Sequence, residues 1–280
     1  MDMLPNERAT NRSSANDDHS ASTVSTRFMR GNERAVGFGL GMVSLLLFTV
    51  SASVFFWFLR SVVNGTGDTA DQIQQGVAGA LGAPRDARAT WNTILVISWA
   101  ILFHVLARPG IRARLQRFVG AQYLSSLVCM TNSLALIALC LLYQPIPTEI
   151  YSLEGGPALL VRLTFFGACA LFIACWFHQD LLGAVGLRPF LRRRVREARS
   201  EESTFPSGPF VWVRYPVELA LLTAVWATPR MTIGHLLFAS LASLLFFARV
   251  DAEDRRRFQH WGTAYQEYVQ RVPQIIPWPR

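Results

Sequence analysis

The sequence predicts an all-α polytopic membrane bundle with five or six spans, ending in a helical hairpin and a cytosolic amphipathic tail. Hydrophobic residues make up 51% of the 280 residues, charged residues make up 16%, and the mean hydropathy is +0.25. Soluble domains carry about a quarter charged residues. The composition therefore indicates a membrane protein, and several apolar runs approach the roughly 20 residues that a spanning helix needs.

Four apolar runs fit single spans, and a fifth run is too long for one. The fifth run covers residues 217–250 and contains Thr228-Pro229-Arg230. Because proline breaks or kinks a helix, we predict a hairpin with arms at 217–227 and 232–249. The first arm is short for a full crossing, which leaves five or six spans. The single spans are predicted at 35–58, 91–106, 123–143 and 158–177.

The arginines predict the orientation of the bundle. All 27 basic residues are arginine, and the net charge is +8. If the N-terminus is cytosolic, 22 of the 27 fall on the cytosolic side, as the positive-inside rule requires. We therefore expect an integral membrane protein with both termini cytosolic. This rule accounts for the basic charge, so we expect no nucleic-acid partner. The run 192–196 is expected to contact anionic lipid headgroups, the alternative being a substrate or cofactor phosphate.

Two domains are predicted: a disordered cytosolic tail at 1–34 and a membrane domain at 35–280. The tail is polar and lacks the apolar core of a secretory signal. All four cysteines lie in apolar runs without a Cys-x-x-Cys spacing, which indicates buried thiols rather than disulfides. The sequence has no cluster of His, Cys and carboxylate residues at the spacing of metal ligands, so it predicts no metal site.

The C-terminal cytosolic tail, residues 251–280, carries an aromatic stripe. The stripe consists of Phe258, Trp261, Tyr265, Tyr268 and Val272. Spacings of three and four residues are typical of one helix face, so we predict an interfacial amphipathic helix. Gly262 is a candidate point of interruption.

Two carboxylates precede the stripe. Asp254 is in register with it, and Glu253 lies about 100° round the helix. A carboxylate at the mouth of a membrane bundle is costly unless it is paired or used. It could pair with Arg255, Arg256 or Arg257, or it could contact a cationic or hydroxyl-rich ligand.

These features together resemble a known superfamily, that of isoprenylcysteine carboxyl methyltransferase. Its members carry Arg-His-Pro-x-Tyr-x-Gly before a hairpin, then Glu-Glu, then Gly-x-x-Tyr-x-x-Tyr and Val-Pro. The chain is most similar to the bacterial methanethiol S-methyltransferase branch, related to NnrU-like proteins, from about residue 35 to 277. The similar segments are Arg214-Tyr215-Pro216, Val225 to Ala239, Glu253-Asp254-Arg255, Gly262 to Pro273, His104 to Arg108 and Gly186 to Arg188.

The resemblance implies a protein of the bacterial inner membrane, a methyltransferase that uses S-adenosylmethionine at the cytosolic mouth of the bundle. Its acceptor would be a small thiol such as methanethiol, giving dimethyl sulfide. Such an enzyme must align donor and acceptor and favour the nucleophilic thiolate. The resemblance implies Glu253, Arg255 and His104 as catalytic residues. It implies Arg214, Tyr215, Pro216, Glu218, Glu253, Asp254 and Tyr265 as cofactor-binding residues.

Three positions depart from the superfamily pattern. Tyr215, Glu218 and Ala220 stand where the pattern has histidine, tyrosine and glycine. Tyrosine offers a neutral hydroxyl where histidine can carry charge, and alanine adds a methyl group where glycine allows close approach. The departures leave an alternative open: a catalytically degenerate relative that serves as a membrane interaction or assembly protein.

Overall fold

The computed structural model describes residues 31–64, 87–191 and 208–275. The predicted disordered tail falls outside this part for residues 1–30, and so does the arginine run at 192–196. The first helix begins at Gly31, so that residues 31–34 are helical rather than part of the tail. Helices and two short strands follow one another along the described chain. The helices are α1 (Gly31–Asn64), α2 (Arg88–Ala107), α3 (Pro109–Val119), α4 (Ala121–Leu142), α5 (Gly155–His178), α6 (Leu181–Ala184), α7 (Pro216–Trp226) and α8 (Ile233–Arg271), with 3₁₀ turns at Arg188–Phe190 and Gly208–Val211 and strands β1 (Glu149–Ser152) and β2 (Arg230–Thr232).

The predicted all-α membrane bundle is confirmed. Within the described residues, five helices are long and apolar enough to cross a membrane: α1, α2, α4, α5 and the first part of α8. The first hairpin arm, α7, has only 11 residues. Large apolar side chains cover the outside of the spans, with Leu244 68% exposed and Leu160 66% exposed. Exposed apolar surface on this scale indicates contact with lipid, so the chain is an integral membrane protein.

One end of the bundle collects most of the arginines, and we call it the basic end. The first turns of α1 and α4 meet there, where the Tyr123 hydroxyl donates to the Glu33 carbonyl at 3.4 Å. The Ser126 hydroxyl donates to the Val185 carbonyl at 3.0 Å, which joins α4 to the segment after α5. The end of α2, α3, the start of α7 and the second half of α8 complete this end. Its described arginines are Arg34, Arg108, Arg112, Arg114, Arg117, Arg188, Arg214, Arg249, Arg255, Arg256, Arg257 and Arg271.

The opposite end, which we call the strand end, is closed by polar contacts. Asn92 and Gln144 exchange two hydrogen bonds of 2.8 Å between α2 and the residues after α4. Strands β1 and β2 pair antiparallel, with Tyr151 opposite Met231. The sequence predicted only loops here, because strands of three and four residues show no periodicity. Pairing satisfies the backbone groups of both turns.

The core lies between α1, α2, α4 and the first part of α8. The rings of Phe58, Tyr143 and Phe238 meet edge to face, with centroids 5.3 to 5.7 Å apart. Leu59 and Val96 are buried beside them. Helix α5 packs along α7, and both helices add residues to this core. The core therefore fixes the last helix against the first three spans.

Helix α8 is continuous and bent. The second hairpin arm and the tail form one helix of 39 residues, with no break at Asp251 or at Gly262. Ion pairs four residues apart, such as Asp251 with Arg255, support the helix beyond the membrane. A straight helix would separate Asp254 and Tyr265 by about 16 Å along its axis, yet the Tyr265 hydroxyl donates to Asp254 at 2.5 Å. The helix must therefore bend between them, in the interval that holds Gly262.

Candidate active site

Asp254 lies at the centre of a buried polar cluster at the basic end. Its carboxylate accepts hydrogen bonds from Arg214 Nη1 at 2.7 Å, the Tyr215 hydroxyl at 2.7 Å, the Tyr265 hydroxyl at 2.5 Å and Gln274 Nε2 at 2.9 Å. The side chains of Arg214 and Asp254 are 8% and 20% exposed. Four donors satisfy the carboxylate, and we call this group the Asp254 cluster.

The start of α7 and the end of the tail position the cluster together. Pro216 occupies the first turn of α7, where its fixed φ suits a helix start and its missing N–H costs nothing. The Arg214 N–H donates to the Pro273 carbonyl at 2.9 Å, and the Tyr215 N–H donates to the Gln274 carbonyl at 3.1 Å. We call these two backbone bonds the tail clasp. They satisfy buried backbone donors and bring Gln274 to Asp254.

The aromatic stripe divides at the bend in α8. Tyr265 and Val272 are buried, and the Tyr268 hydroxyl donates to the Phe210 carbonyl at 2.8 Å. Phe258 is 46% exposed. Phe258 therefore lies apart from the buried part of the stripe, since the bend turns the later residues onto the bundle and leaves Phe258 outside.

The two tyrosines of the Asp254 cluster are held in their neutral form. Burial raises the pKa of Tyr215 and of Tyr265, and the hydrogen bond that each donates to Asp254 raises the pKa further. Both hydroxyls therefore remain donors at neutral pH, since ionisation would place two negative charges on adjacent oxygens.

The cluster predicts a loss of stability at alkaline pH. Because the folded pKa of each tyrosine is raised, its contribution is fully present below the unfolded pKa of about 10 and is lost as pH rises above it. We expect the thermal midpoint of the detergent-solubilised protein to be steady from pH 7 to 9 and to fall above pH 10. The double variant Tyr215→Phe, Tyr265→Phe should show a smaller fall over the same interval. An equal fall in both proteins would contradict this assignment.

Glu253 is paired within its own helix. It accepts from Arg256 Nη2 at 3.0 Å and from Arg257 Nε at 3.1 Å. The guanidinium of Arg257 also lies over the Tyr215 ring, 5.1 Å from its centroid. Of the two alternatives for the carboxylates, pairing with the neighbouring arginines describes Glu253, whereas Asp254 pairs with Arg214 across the fold.

Glu218 is a buried carboxylate with a long ion pair. It lies in the first turn of α7, where the helix N-terminus favours an anion, and the residue is 8% exposed. Its ion pair with Arg249 Nη2 is long, at 3.7 Å. The guanidinium of Arg249 rests over the Phe103 ring, 4.9 Å from the centroid. Buried charge with one distant partner retains capacity for another cation.

Two implied catalytic residues lie apart from the Asp254 cluster. His104 is exposed near the end of α2, and its Nδ1 lies 3.0 Å from the Ala100 carbonyl of the same helix. Arg255 pairs with Asp251 at 2.6 Å on the exposed face of α8. No described contact joins either residue to Asp254, so their catalytic roles stay predictions.

Sequence reasoning missed Arg249 and Gln274 as members of this site. Arg249 was assigned to the end of a hairpin arm, and Gln274 follows the Val-Pro signature without belonging to it. The position of Arg249 in the sequence could have indicated its place in the site, since Arg249 lies five residues before Asp254 and about one helical turn before Glu253. Gln274 carried no signal, because its contact depends on the bend and the tail clasp.

Similar proteins align with most of this chain. Methanethiol S-methyltransferase 2 of Bradyrhizobium diazoefficiens is 32% identical over 189 residues, which cover 66% of this chain and 72% of the relative. Methanethiol S-methyltransferase 1 of the same organism is 30% identical over 197 residues, covering 68% and 67%. The chain belongs to the methanethiol S-methyltransferase family. The enzyme of that name from Mycobacterium tuberculosis is 28% identical over 243 residues, covering 85% of this chain and 95% of the relative. None of the protein-family models matches the chain, and no solved structure matches it.

Family membership confirms the resemblance and gives the three departures a structural setting. In this methanethiol S-methyltransferase family member, Tyr215 uses its hydroxyl as a donor to Asp254. Ala220 is fully buried in α7, so its methyl group fills space in the protein interior. Glu218 places a negative charge at the first turn of α7. The altered segment is therefore built into the fold rather than left loose.

The side chains of this family member fit a donor that carries both signs of charge, as S-adenosylmethionine does. Arg214 Nε is buried and has no hydrogen-bond partner, which suits the carboxylate of such a donor. Glu218, four residues further on, suits a cationic group. Within the described residues, no group of three His, Cys, Asp or Glu side chains is placed to hold a metal ion.

Proposed function

We propose that the protein transfers a methyl group from S-adenosylmethionine to methanethiol, giving dimethyl sulfide, at the basic end of the bundle. The observation that carries this proposal is a pair of groups at the start of α7: the unpartnered Nε of Arg214, two residues before the helix, and the weakly paired carboxylate of Glu218 in its first turn. Relatives named methanethiol S-methyltransferase support the choice of acceptor. We place the basic end on the cytosolic side of the inner membrane, because arginine-rich segments stay there.

The donor is held by charge at both of its poles. When bound, S-adenosylmethionine supplies an electrophilic methyl group on a sulfonium. Arg214 would bind the donor carboxylate through Nε while Nη1 keeps its bond to Asp254. Glu218 would bind a cationic group of the donor, and its burial strengthens that attraction because few water molecules screen it. The Asp254 cluster acts one step back, since it fixes the Arg214 guanidinium.

Arg249 is placed to stabilise the acceptor as a thiolate. Its guanidinium stands 3.7 Å from Glu218 and stacks on Phe103, at the border between the apolar core and the basic end. A neighbouring cation lowers the pKa of a thiol and so raises the fraction of thiolate. A bound donor would supply the methyl group to this sulfur. The methyl–sulfonium bond would break with its electron pair left on the donor, and the thiol proton would pass to water.

The alternative of a degenerate membrane interaction or assembly protein is not favoured. Its motivation was the altered Arg-Tyr-Pro-x-Glu-x-Ala segment. The identity of 30% and 32% to two named methyltransferases extends over about two thirds of the chain. Of the altered residues, Tyr215 takes part in the Asp254 cluster.

The proposed reaction has a direct test. We expect the purified protein in detergent to bind S-adenosylmethionine by isothermal titration calorimetry. We also expect it to convert methanethiol to dimethyl sulfide, detected by headspace gas chromatography. The matched control is Glu149→Gln, which removes an exposed carboxylate at the strand end and should change neither result. Absence of binding at millimolar donor together with absence of dimethyl sulfide would reject the proposal.

A further inference from the structure

A small apolar cavity lies in the core of the bundle. Its volume is about 30 Å³, and its wall is apolar. It is lined by residues of α1, α2, α4 and α8, which include Phe55, Val96, Leu139, Phe238, Ala242 and Phe246. Apolar cavities of this kind stay dry and take up small apolar molecules.

We propose that this cavity binds the methyl acceptor as a neutral thiol, and that its volume selects thiols of the size of methanethiol. The inference rests on the proposed function. One water-sized group needs about 10–15 Å³ of such space, so the cavity takes two or three. Methanethiol has two non-hydrogen atoms and dimethyl sulfide has three. A wall without polar atoms excludes the thiolate, because an unpaired charge is too costly there.

The cavity ends one helical turn from the charged site. Phe246 lines the cavity on α8, and Arg249 follows three residues later, about 4.5 Å along the helix. On α2, the Trp99 ring also lines the cavity and lies 6.0 Å from the Phe103 ring, which Arg249 covers. A neutral thiol that leaves the cavity towards the basic end therefore comes near the Arg249 guanidinium, where loss of its proton is favoured.

Two buried residues set the volume and provide opposite variants. Ala242 lies on the cavity wall in α8 and is 7% exposed, so Ala242→Leu fills the space. Val96 lies on the opposite wall in α2, so Val96→Ala enlarges it. Ala248 is exposed on α8 six residues after Ala242, and Ala248→Leu makes the same chemical change outside the cavity.

The first measurement is binding without any donor. Saturation-transfer NMR with dimethyl sulfide, on protein in deuterated detergent, is expected to show transfer in the unsubstituted protein and in Ala248→Leu. The signal should be lost in Ala242→Leu. Equal transfer in all three proteins, or in none, would overturn the inference and leave a packing void only. The thermal midpoint shows whether each variant has folded. If Ala242→Leu has not folded, the comparison of acceptors with Val96→Ala decides whether the cavity binds the acceptor.

The second measurement compares acceptors. One methylene in an apolar pocket changes kcat/KM by about 10-fold or more. We expect Val96→Ala to raise the ratio of ethanethiol to methanethiol kcat/KM by about 10-fold, and Ala248→Leu to leave it unchanged. An unchanged ratio in Val96→Ala with full turnover overturns the cavity proposal and leaves the proposed function standing. Binding of dimethyl sulfide in the cavity without any turnover would leave the cavity standing as a binding site and would contradict the proposed function.

Discussion

Replacement of Asp254 by asparagine is expected to lower both the stability of the protein and its affinity for S-adenosylmethionine. Asparagine has the size of aspartate but lacks the negative charge. In the unsubstituted protein that charge holds Arg214 and accepts hydrogen bonds from Tyr215, Tyr265 and Gln274. Breaking one partner out of a buried ion pair costs about 3–5 kcal/mol, because the other charge is left uncompensated. We expect a loss at the lower end of that range, about 3 kcal/mol, since Asp254 is 20% exposed.

The effect on the donor follows from the freed guanidinium. With Asp254 neutral, Arg214 is no longer fixed, and we expect the affinity for S-adenosylmethionine to fall at least 100-fold. Chemical unfolding and calorimetry measure the two quantities. Asp251→Asn is the matched control on the same helix: its ion pair with Arg255 is exposed, so the change should be under about 1 kcal/mol. Equal effects of the two variants would contradict the role of the Asp254 cluster.

Glu218→Gln is expected to weaken donor binding without weakening the fold. The present pair with Arg249 is 3.7 Å long, so little native attraction is lost, and the cost of burying a charge is removed. A hydrogen bond to a charged group contributes about 1.5–3 kcal/mol. We therefore expect the affinity for S-adenosylmethionine to fall about 10- to 100-fold, while the thermal midpoint stays within a few degrees.

The pattern of results separates two roles. Asp254→Asn should change stability and affinity together, whereas Glu218→Gln should change affinity alone. Calorimetry at matched protein concentration, with Glu149→Gln as the carboxylate control, measures the difference. If Glu218→Gln binds the donor as tightly as the unsubstituted protein, Glu218 does not contact it.

The sequence predicted the architecture because each membrane span shows itself as a long run of apolar residues. Apolar runs near 20 residues gave the spans, Pro229 gave the turn of the hairpin, and the aromatic spacing gave the buried face of the tail at Tyr265 and Val272. The strands β1 and β2 escaped, since three or four residues carry no periodic signal. The continuous course of α8 escaped because the change from apolar to charged residues at Asp251 marks the membrane surface, not a helix end.

The structure joins four of the residues that the resemblance selected, Arg214, Tyr215, Asp254 and Tyr265, in one cluster. Their roles in binding or catalysis stay predictions. Which arginine pairs with which carboxylate could not follow from spacing, because the choice depends on the bend in α8. A linear pattern places Asp254 beside its sequence neighbours. Only the fold places it against a residue 40 positions earlier.

The tail clasp has a consequence for truncated chains. The five long spans found in the described residues end at Gln259, but Pro273 and Gln274 are needed to bond Arg214 and Tyr215 and to complete the Asp254 cluster. A chain that stops after Gln259 would therefore keep every one of these spans and lose the cluster. Anchoring in the bilayer and completion of the charged centre depend on different segments of the sequence, so loss of the last segment would leave a membrane protein without that centre.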